Sequence, residues 1–394
     1  MPSFLTLDSL TRSSTFAVAG GCAESFLSIA TPAGMTFSDA LTDLDSKYAS
    51  ALDRLGLSDA TAIFCRIFLS DILNQKSALL DSALFRRLRG SGALSVIEQK
   101  SLDSGPVSLL AYHIGGPQKA FTKRLTHSRN DVWRNDLVVT GGNYSLLLTA
   151  NHTSDETSDA YTQTKTVFGS LNSTVEQHGM SLLGSCIRTW VYVRDIDNNY
   201  KEMVQARREF FAEHGLCEKT RYLASTGILG MAHSPERIVS VDSLSVGGLA
   251  AEQIVRMEAL SHLWSTILYG VTFERGLRLR FGDRSHLHIS GTASINTKGE
   301  VLHEGDAESQ SRRAVENVRA LLGAQSATLE DLVYVIAYVR NAHDARRVRQ
   351  VLDEELGCQV PLVVTEAAVC RPAWLMEIEG IAIIPDRTEF PPFP

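Results

Sequence analysis

Two segments in the second half of the chain repeat one pattern of hydrophobic and polar positions. TWVYVRDIDNNYKEMVQARREFF, from Thr189, and IAYVRNAHDARRVRQVLDEEL, from Ile336, each predict a buried strand, a polar turn and an amphipathic helix. A further predicted helix precedes each segment, and Gln163 in one of these helices corresponds to Gln310 in the other. The agreement predicts that one structural unit occurs at least twice.

A third, weaker copy of the pattern lies nearer the N-terminus. FSDALTDLDSKYASALDRLGL predicts its first helix, and ATAIFCRIFLSDILNQKSALLDSALFRRL predicts its strand, turn and second helix. Ser70-Asp71 then takes the place of Arg194-Asp195. Because the turns fall at Asp71, Asp195 and Asn341, the repeating unit has the size of a single domain.

Strands precede the helices of the middle and last copies. LVVTGGNYSLLLTANHT and HLHISGTASINTKGEVLHEGD alternate apolar and polar residues around a turn, as a hairpin requires, and AWLMEIEGIAII supplies a later strand. Each β–β–α–β–α unit therefore forms an α+β layer whose open sheet face must be covered. We predict tandem α+β units that form a pseudo-trimer within one chain, with domains at 1–130, 131–272 and 273–394.

Composition narrows the possible partners. The chain has 394 residues, 44% of them hydrophobic, and a formal net charge of −7, so it has no basic surplus for nucleic acid. No apolar run reaches the roughly 18 residues that span a bilayer. Six scattered cysteines without a CxxC pair favour reduced thiols in the cytoplasm. The N-terminus lacks the basic start of a secretory signal, so we expect no removed leader.

Motifs for cofactors and metals are missing from the sequence. There is no GxGxxG that opens a helix, no GxxxxGKS/T, no HExxH and no GxSxG, so we expect no nucleotide and no hydrolase elbow. His286 and His288 alternate on a predicted strand and could share a face, but no third ligand has suitable spacing. We expect neither a cofactor nor a metal.

The last quarter of the chain resembles the RidA/YjgF family. The resemblance is carried by HISGTASINTKGEVLHEGDAESQSRRAVENVRALL, DLVYVIAYVRN and AWLMEIEGIAI. RidA proteins are homotrimers with clefts between subunits, which agrees with the predicted pseudo-trimer. RidA imine deaminases bind the substrate carboxylate with an arginine shortly after a proline, but here Pro361 is followed by Leu362-Val363-Val364. The resemblance therefore does not imply imine deamination.

A narrower resemblance, over residues 130–385, is to the chorismatases. It is carried by CIRTWVYVRDID, RYLASTGI, FERG, ISGTASI and AAVCRPAWLMEIE. That family splits the enol ether of chorismate and releases pyruvate with either a dihydroxycyclohexadienoate or 3-hydroxybenzoate. The stretch 240–269 lacks the proline- and tyrosine-rich text of the family, and RFGDRSH is inserted before the SGTAS strand.

The resemblance implies that Glu377 is the catalytic acid. On the strand LMEIEGIAI, Glu377 and Glu379 project to the same side. Burial on an apolar strand raises the pKa of a carboxyl group. An acid with such a pKa can protonate the terminal methylene of an enolpyruvyl ether near neutral pH. From the residues alone, an exposed or ion-paired glutamate on an edge strand remains the alternative.

Two further residues match the 3-hydroxybenzoate-forming type of chorismatase. The resemblance implies that Cys370 is catalytic, its thiol steering an intramolecular displacement instead of attack by water. It implies that Gly276, in FERG, leaves room for the substrate ring. The alternative for Cys370 is a small buried hydrophobic residue.

A dianionic substrate requires cationic or donor groups, and arginine suits a carboxylate best. The resemblance implies a substrate contact at Arg188 and a weaker one at Tyr222. Arg349, on the last long helix, and Arg371, beside Cys370, are further candidates. The alternative for each arginine is that it is an ordinary surface residue with no role in substrate binding.

The favoured interpretation is a cofactor-free chorismatase that acts on the small molecule chorismate and forms pyruvate and 3-hydroxybenzoate. A second is a RidA-like enzyme that acts on another small enol ether, enamine or carboxylic acid in secondary metabolism, which the altered 240–270 stretch motivates. A third is a non-catalytic RidA-like binding or chaperone module. Since one chain already supplies three units, we expect a monomer or a small homo-oligomer.

Overall fold

The computed structural model describes residues 1–102, 104–116, 120–128, 131–263 and 271–394. The last part of the divergent 240–269 stretch, 264–269, lies outside the described residues. The described strands form three mixed sheets of six strands each, with helices packed against them. This confirms the predicted α+β architecture of three tandem units, including the weak first copy.

The first sheet has the order β1-β2-β3-β6-β4-β5. Its strands are β1 Ser3–Asp8, β2 Thr11–Phe16, β3 Ala23–Ala30, β4 Ala62–Leu69, β5 Ala93–Glu98 and β6 Val107–Gly115. Its helices are α1 Phe37–Leu55, α2 Ile72–Asp81 and α3 Ala83–Ser91.

The second sheet has the equivalent order, β7-β8-β9-β12-β10-β11. Its strands are β7 Thr122–His127, β8 Asn135–Gly141, β9 Tyr144–Thr153, β10 Cys186–Val193, β11 Ala224–Leu229 and β12 Val239–Gly247. Its helices are α4 Ala160–Gln177, α5 Leu182–Ser185 and α6 Ile196–Glu213.

The third sheet follows the same order, β13-β14-β15-β18-β16-β17. Its strands are β13 Ile254–Arg256, β14 Gly276–Arg280, β15 Arg284–Ala293, β16 Leu332–Val339, β17 Leu362–Glu366 and β18 Met376–Pro385. Its helices are α7 Ala307–Gly323 and α8 Ala345–Leu356. The strands of the second and third sheets thus begin at 122 and 254. The division into domains at 130/131 and 272/273 stays a prediction, because a sheet is not by itself an independently folding domain.

The two glutamines that correspond in sequence have the same structural role. Gln163 Oε1 accepts a hydrogen bond from the backbone N–H of Ile238 at 2.8 Å, just before β12. Gln310 Oε1 accepts one from the N–H of Leu375 at 2.8 Å, just before β18. Each side chain thereby fixes the start of the last strand of its unit to the first long helix.

The three units close into a ring through isolated β-bridges. Ile228 of β11 pairs with Val369, and Thr365 of β17 pairs with Ser101. Glu98 of β5 pairs with Met231, which completes the circle. In each contact, the last parallel strand of one unit meets the loop before the final strand of the next unit. The clefts between units therefore occupy equivalent positions around a pseudo-threefold axis.

Polar side chains near the axis are buried as pairs. Arg66 is 1% exposed, donates to Asp242 at 3.2 Å and stacks on the Trp190 ring at 4.7 Å. A buried cation of this kind is tolerated only when a carboxylate or aromatic faces compensate its lost hydration. Within the described ranges, no helix is both long and apolar enough to cross a membrane.

Candidate active site

A cleft of about 440 Å³ lies between the second and third units. Helix α6 and strand β11 form one wall, and strands β15 and β18 with the loop before β18 form the other. Polar and charged side chains from both units line it: Tyr200, Arg207, Arg208, Ser225, Arg275, Cys370, Arg371 and Glu377. The position agrees with the expectation that clefts lie between RidA-like units.

Glu377 lies near the start of β18 and is 6% exposed. Burial, followed by the negative charge of Glu379, raises the pKa of Glu377 to about 8, while Arg188 and Arg275 oppose that rise. The carboxyl group is therefore mostly protonated at pH 7. A buried group with this pKa, which lines a cleft, is suited to act as a general acid.

A glycine on the neighbouring strand makes room for the Glu377 carboxyl group. A Cβ atom at Gly291 of β15 would lie 1.8 Å from Glu377 Oε1 and 2.7 Å from Cδ. Neither distance is compatible with a side chain in this place. The glycine of ISGTASI thus determines where the acid sits.

Glu379, two residues further along β18, is held by the second unit. Its carboxylate accepts from Arg188 Nη2 at 2.8 Å and from Trp190 Nε1 at 2.6 Å. Arg188 Nη2 also donates to Thr226 Oγ1 at 2.6 Å. The ion pair is 3% exposed at Arg188 and fully buried at Glu379, so a negative charge is fixed beside Glu377.

Arginines make the cleft strongly cationic. Arg207 is 2% exposed and is fixed by Thr272 Oγ1 at 3.0 Å, and burial lowers the pKa of its guanidinium. Arg275 stacks on the Phe273 ring at 5.3 Å, and Arg371 stacks on the Trp374 ring at 4.9 Å. With Arg208, four arginines line the cleft that contains the Glu377 carboxyl group, which suits an anionic ligand.

Cys370 lies between the acid and a tyrosine. Burial and the charge of Glu377 raise the pKa of the Cys370 thiol to about 12, although a hydrogen bond with Tyr200 acts in the opposite direction. Burial also raises the pKa of Tyr200 well above its ordinary value. Both groups are therefore neutral at pH 7, so Cys370 can donate a weak hydrogen bond or exclude water, but it is not a thiolate nucleophile.

The structure brings three of the residues predicted from sequence into the cleft: Glu377, Cys370 and Arg371. Arg188 reaches the acid through its contact with Glu379 instead of lining the cleft. Their roles in substrate binding and catalysis stay predictions.

The other three predicted contacts do not line this cleft. Tyr222 packs against the core of the second unit, with its ring centroid 6.5 Å from that of Phe211. Arg349 lines a different cleft and donates to Asp353 at 2.9 Å. At Gly276, a Cβ atom would lie 2.8 Å from the His288 carbonyl oxygen and 2.9 Å from Met257 Sδ. The missing side chain at Gly276 therefore accommodates Met257 and the paired strand, and does not leave room for a ring.

Sequence reasoning missed the arginines on α6. Tyr200, Val204, Arg207 and Arg208 recur at the spacing of one helix face, and that periodicity could have identified them. Arg275 stands next to Gly276 in the quoted FERG phrase. No local signal indicates that this helix face meets β18 of the next unit.

Strand register identifies the counterparts of Glu377 in the other units. Glu377 pairs with Tyr338, the penultimate residue of the eight-residue strand β16. The penultimate residues of the eight-residue strands β10 and β4, Tyr192 and Phe68, pair with Ser240 and Ser108. A carboxyl group occupies this position in one unit, and serine occupies it in the other two.

Comparisons with known proteins agree with this geometry. The family model described as Endoribonuclease L-PSP matches residues 281–384. A RutC family protein of Pyrococcus horikoshii is 32% identical over 24% of this chain and 77% of its own length. A protein of Streptomyces hygroscopicus named 3-hydroxybenzoate synthase is 26% identical over 57% of this chain and 70% of its own length. The chain belongs to the RutC family, and proteins named as chorismatases are among its relatives.

The chorismatase fold extends over nearly the whole chain. A crystal structure of a chorismatase superposes with a TM-score of 0.64, at 18% sequence identity, and the match covers 94% of this chain and 99% of that protein. At that identity the likeness shows the fold. Among the residues that the structure describes, no group of three or more His, Cys, Asp or Glu residues could hold a metal ion.

Proposed function

We propose that this member of the chorismatase family cleaves the enolpyruvyl ether of chorismate to pyruvate and 3-hydroxybenzoate, with Glu377 as the general acid. The observation that carries the proposal is a buried carboxyl group with a raised pKa in a cleft lined by four arginines. The name of the Streptomyces hygroscopicus relative supports the same reaction.

The cleft suits a compact dianion. Its volume of about 440 Å³ is in the range of small-molecule sites. Chorismate carries one carboxylate on its ring and one on its enolpyruvyl group, so it needs cations at both ends. Arg207 and Arg208 on α6, opposite Arg275 and Arg371 of the third unit, provide them from two walls.

Glu377 supplies the proton that starts the reaction. Protonation of the terminal methylene converts the enol ether into an oxocarbenium ion, whose positive charge the newly formed Glu377 carboxylate stabilises. The buried site excludes much of the water that would otherwise weaken this interaction. Arg188 and Glu379 hold the surroundings of the acid and act as positioning residues.

Cys370 acts on the choice of product. The atoms of pyruvate and 3-hydroxybenzoate together are those of chorismate, so this route consumes no water, whereas formation of a dihydroxycyclohexadienoate consumes one. A neutral thiol beside Glu377 occupies space where water could attack. It thereby favours the intramolecular displacement.

The test is incubation of the purified protein with chorismate, followed by chromatography of the products. We expect equal amounts of pyruvate and 3-hydroxybenzoate, and far less of both with Glu377→Gln. Absence of pyruvate release would overturn the proposal. A dihydroxycyclohexadienoate as the main product would retain the acid but overturn the role of Cys370, and turnover of a small enamine with chorismate untouched would favour the broader RidA-like activity.

A further inference from the structure

A second cleft lies between the third and first units, in the position equivalent to that of the first. It has a volume of about 60 Å³ and is lined by β17 of the third unit and β3 of the first. Ser108 lies in its wall, at the register position that Glu377 occupies in the third unit. The fold thus places a second, smaller cleft where the acid is replaced by a hydroxyl group.

Two arginines from different units meet in this second cleft. Arg349 Nε donates to Asp353 Oδ2 at 2.9 Å, whereas Arg12 Nη1 lies 3.9 Å from Asp353 Oδ1, beyond hydrogen-bond distance. One carboxylate therefore faces two cations. Burial and then the positive charge of Arg349 lower the pKa of Arg12, with Asp353 and Cys358 acting in the opposite direction. An anion between the two guanidinium groups would relieve this repulsion.

Hydroxyl groups also line the second cleft. Ser101 Oγ and Ser108 Oγ share one hydrogen bond of 2.5 Å, which leaves one hydroxyl hydrogen of the pair available to a ligand. The Ser104 hydroxyl oxygen is buried and has no hydrogen-bond partner among the described residues. Buried hydroxyl groups normally find partners, so these serines are suited to a polar ligand.

We propose that this second cleft binds a small hydroxy- or keto-carboxylate between Arg12 and Arg349 without transforming it. The arginines would hold the carboxylate, and the serines would donate to the second oxygen function. The volume accommodates roughly four to five water-sized positions, which is enough for pyruvate because its six non-hydrogen atoms overlap through their covalent bonds. The proposal is independent of the reaction proposed above.

The direct test uses pyruvate as the probe. Crystals of the wild-type protein soaked in pyruvate should show it between Arg12 and Arg349, and calorimetry in solution should detect the same site. Pyruvate found only beside Glu377, or found at neither place, would overturn the proposal. Because chorismate is not involved, failure of the reaction proposed above would leave this result unaffected.

Variants assign the binding to the second cleft. Arg12→Gln should weaken pyruvate binding there at least tenfold, whereas Arg208→Gln, an exposed arginine of the first cleft, should leave it unchanged. Ser108→Leu, which fills the cleft with apolar volume, should abolish that binding and provides a second route if Arg12→Gln does not fold. Equal affinity in wild type, Arg12→Gln and Ser108→Leu would contradict the proposal.

Discussion

The first and second clefts differ in two side chains at equivalent positions. In the first, Glu377 pairs with Ala293, and the residue two positions before Ala293 is Gly291. In the second, Ser108 pairs with Ala30, and the residue two positions before Ala30 is Ser28. Both clefts contain arginines from two units. The fold therefore builds a cationic cleft at these two interfaces, whereas an acid together with the glycine that accommodates it distinguishes the first.

The largest expected effect is on the acid itself. Glu377→Gln should lower the turnover of chorismate by about two to four orders of magnitude, because the amide has no proton to donate. Release of pyruvate measures it. Ser108→Ala, the matched change in the second cleft, should leave turnover unchanged, and a similar loss in both variants would remove the distinction between the clefts.

The ion pair beside the acid should affect both stability and pH dependence. Glu379→Gln leaves Arg188 buried without its carboxylate, which should lower the free energy of unfolding by about 3–5 kcal/mol. It also removes a negative charge that raises the pKa of Glu377. In the wild type, kcat/KM should fall as the pH rises through about 8.

In Glu379→Gln, that fall should occur at lower pH. Denaturant titration and a pH profile of kcat/KM measure the two effects. An unshifted profile would mean that the charge at Glu379 does not act on the acid.

Removing the acid should stabilise the protein at neutral pH. The pKa of Glu377 is about 8 in the folded state and about 4.3 when unfolded, so the folded state binds the extra proton between these values. The resulting stability is fully present below the unfolded pKa and is lost as the pH rises through the folded one.

The gain in the free energy of unfolding from Glu377→Gln should therefore be larger at pH 8 than at pH 4, by on the order of 2–4 kcal/mol. Chemical denaturation at both pH values checks this. A change of the same size at both would argue against a carboxyl group with a raised pKa.

Filling the space beside the Glu377 carboxyl group should have a smaller effect on activity. Gly291→Ala should lower kcat/KM about ten- to a hundredfold, because its Cβ would displace the Glu377 carboxyl group. Gly169→Ala, in α4, is the control, since a Cβ there has no atom within 4 Å. Full activity in Gly291→Ala would show that the carboxyl group can move without a loss of kcat/KM.

The smallest effect is expected on product choice. Cys370→Ala should increase the dihydroxycyclohexadienoate fraction severalfold with less than a tenfold change in total turnover, since water can enter the vacated space. Chromatography measures the ratio. Cys358→Ala, at an exposed cysteine, should not change it.

The repeated architecture could be predicted because the alternation of apolar and polar residues in a strand, and their periodicity in a helix, are visible within each element of the sequence. The sequence also placed Glu377 and Glu379 on one face of a strand. It could not predict that Arg188 and Glu379, 191 residues apart in sequence, form a buried pair. Nor could it show that Arg349 lies outside the cleft of Glu377, because a helix face reveals its polarity but not its neighbour. The close approach of Met257 to Gly276 likewise has no signal in the sequence.

The ring closed by the bridges at Ile228, Thr365 and Glu98 lies within a single chain. In a trimer of identical subunits, every substitution occurs three times, so an acid that destabilises the fold at neutral pH would do so at all three interfaces. Here the burial of Glu377 lowers the free energy of unfolding at one interface only. The other two interfaces, with Ser108 and Ser240 at that position, are free to contribute stability to the same molecule.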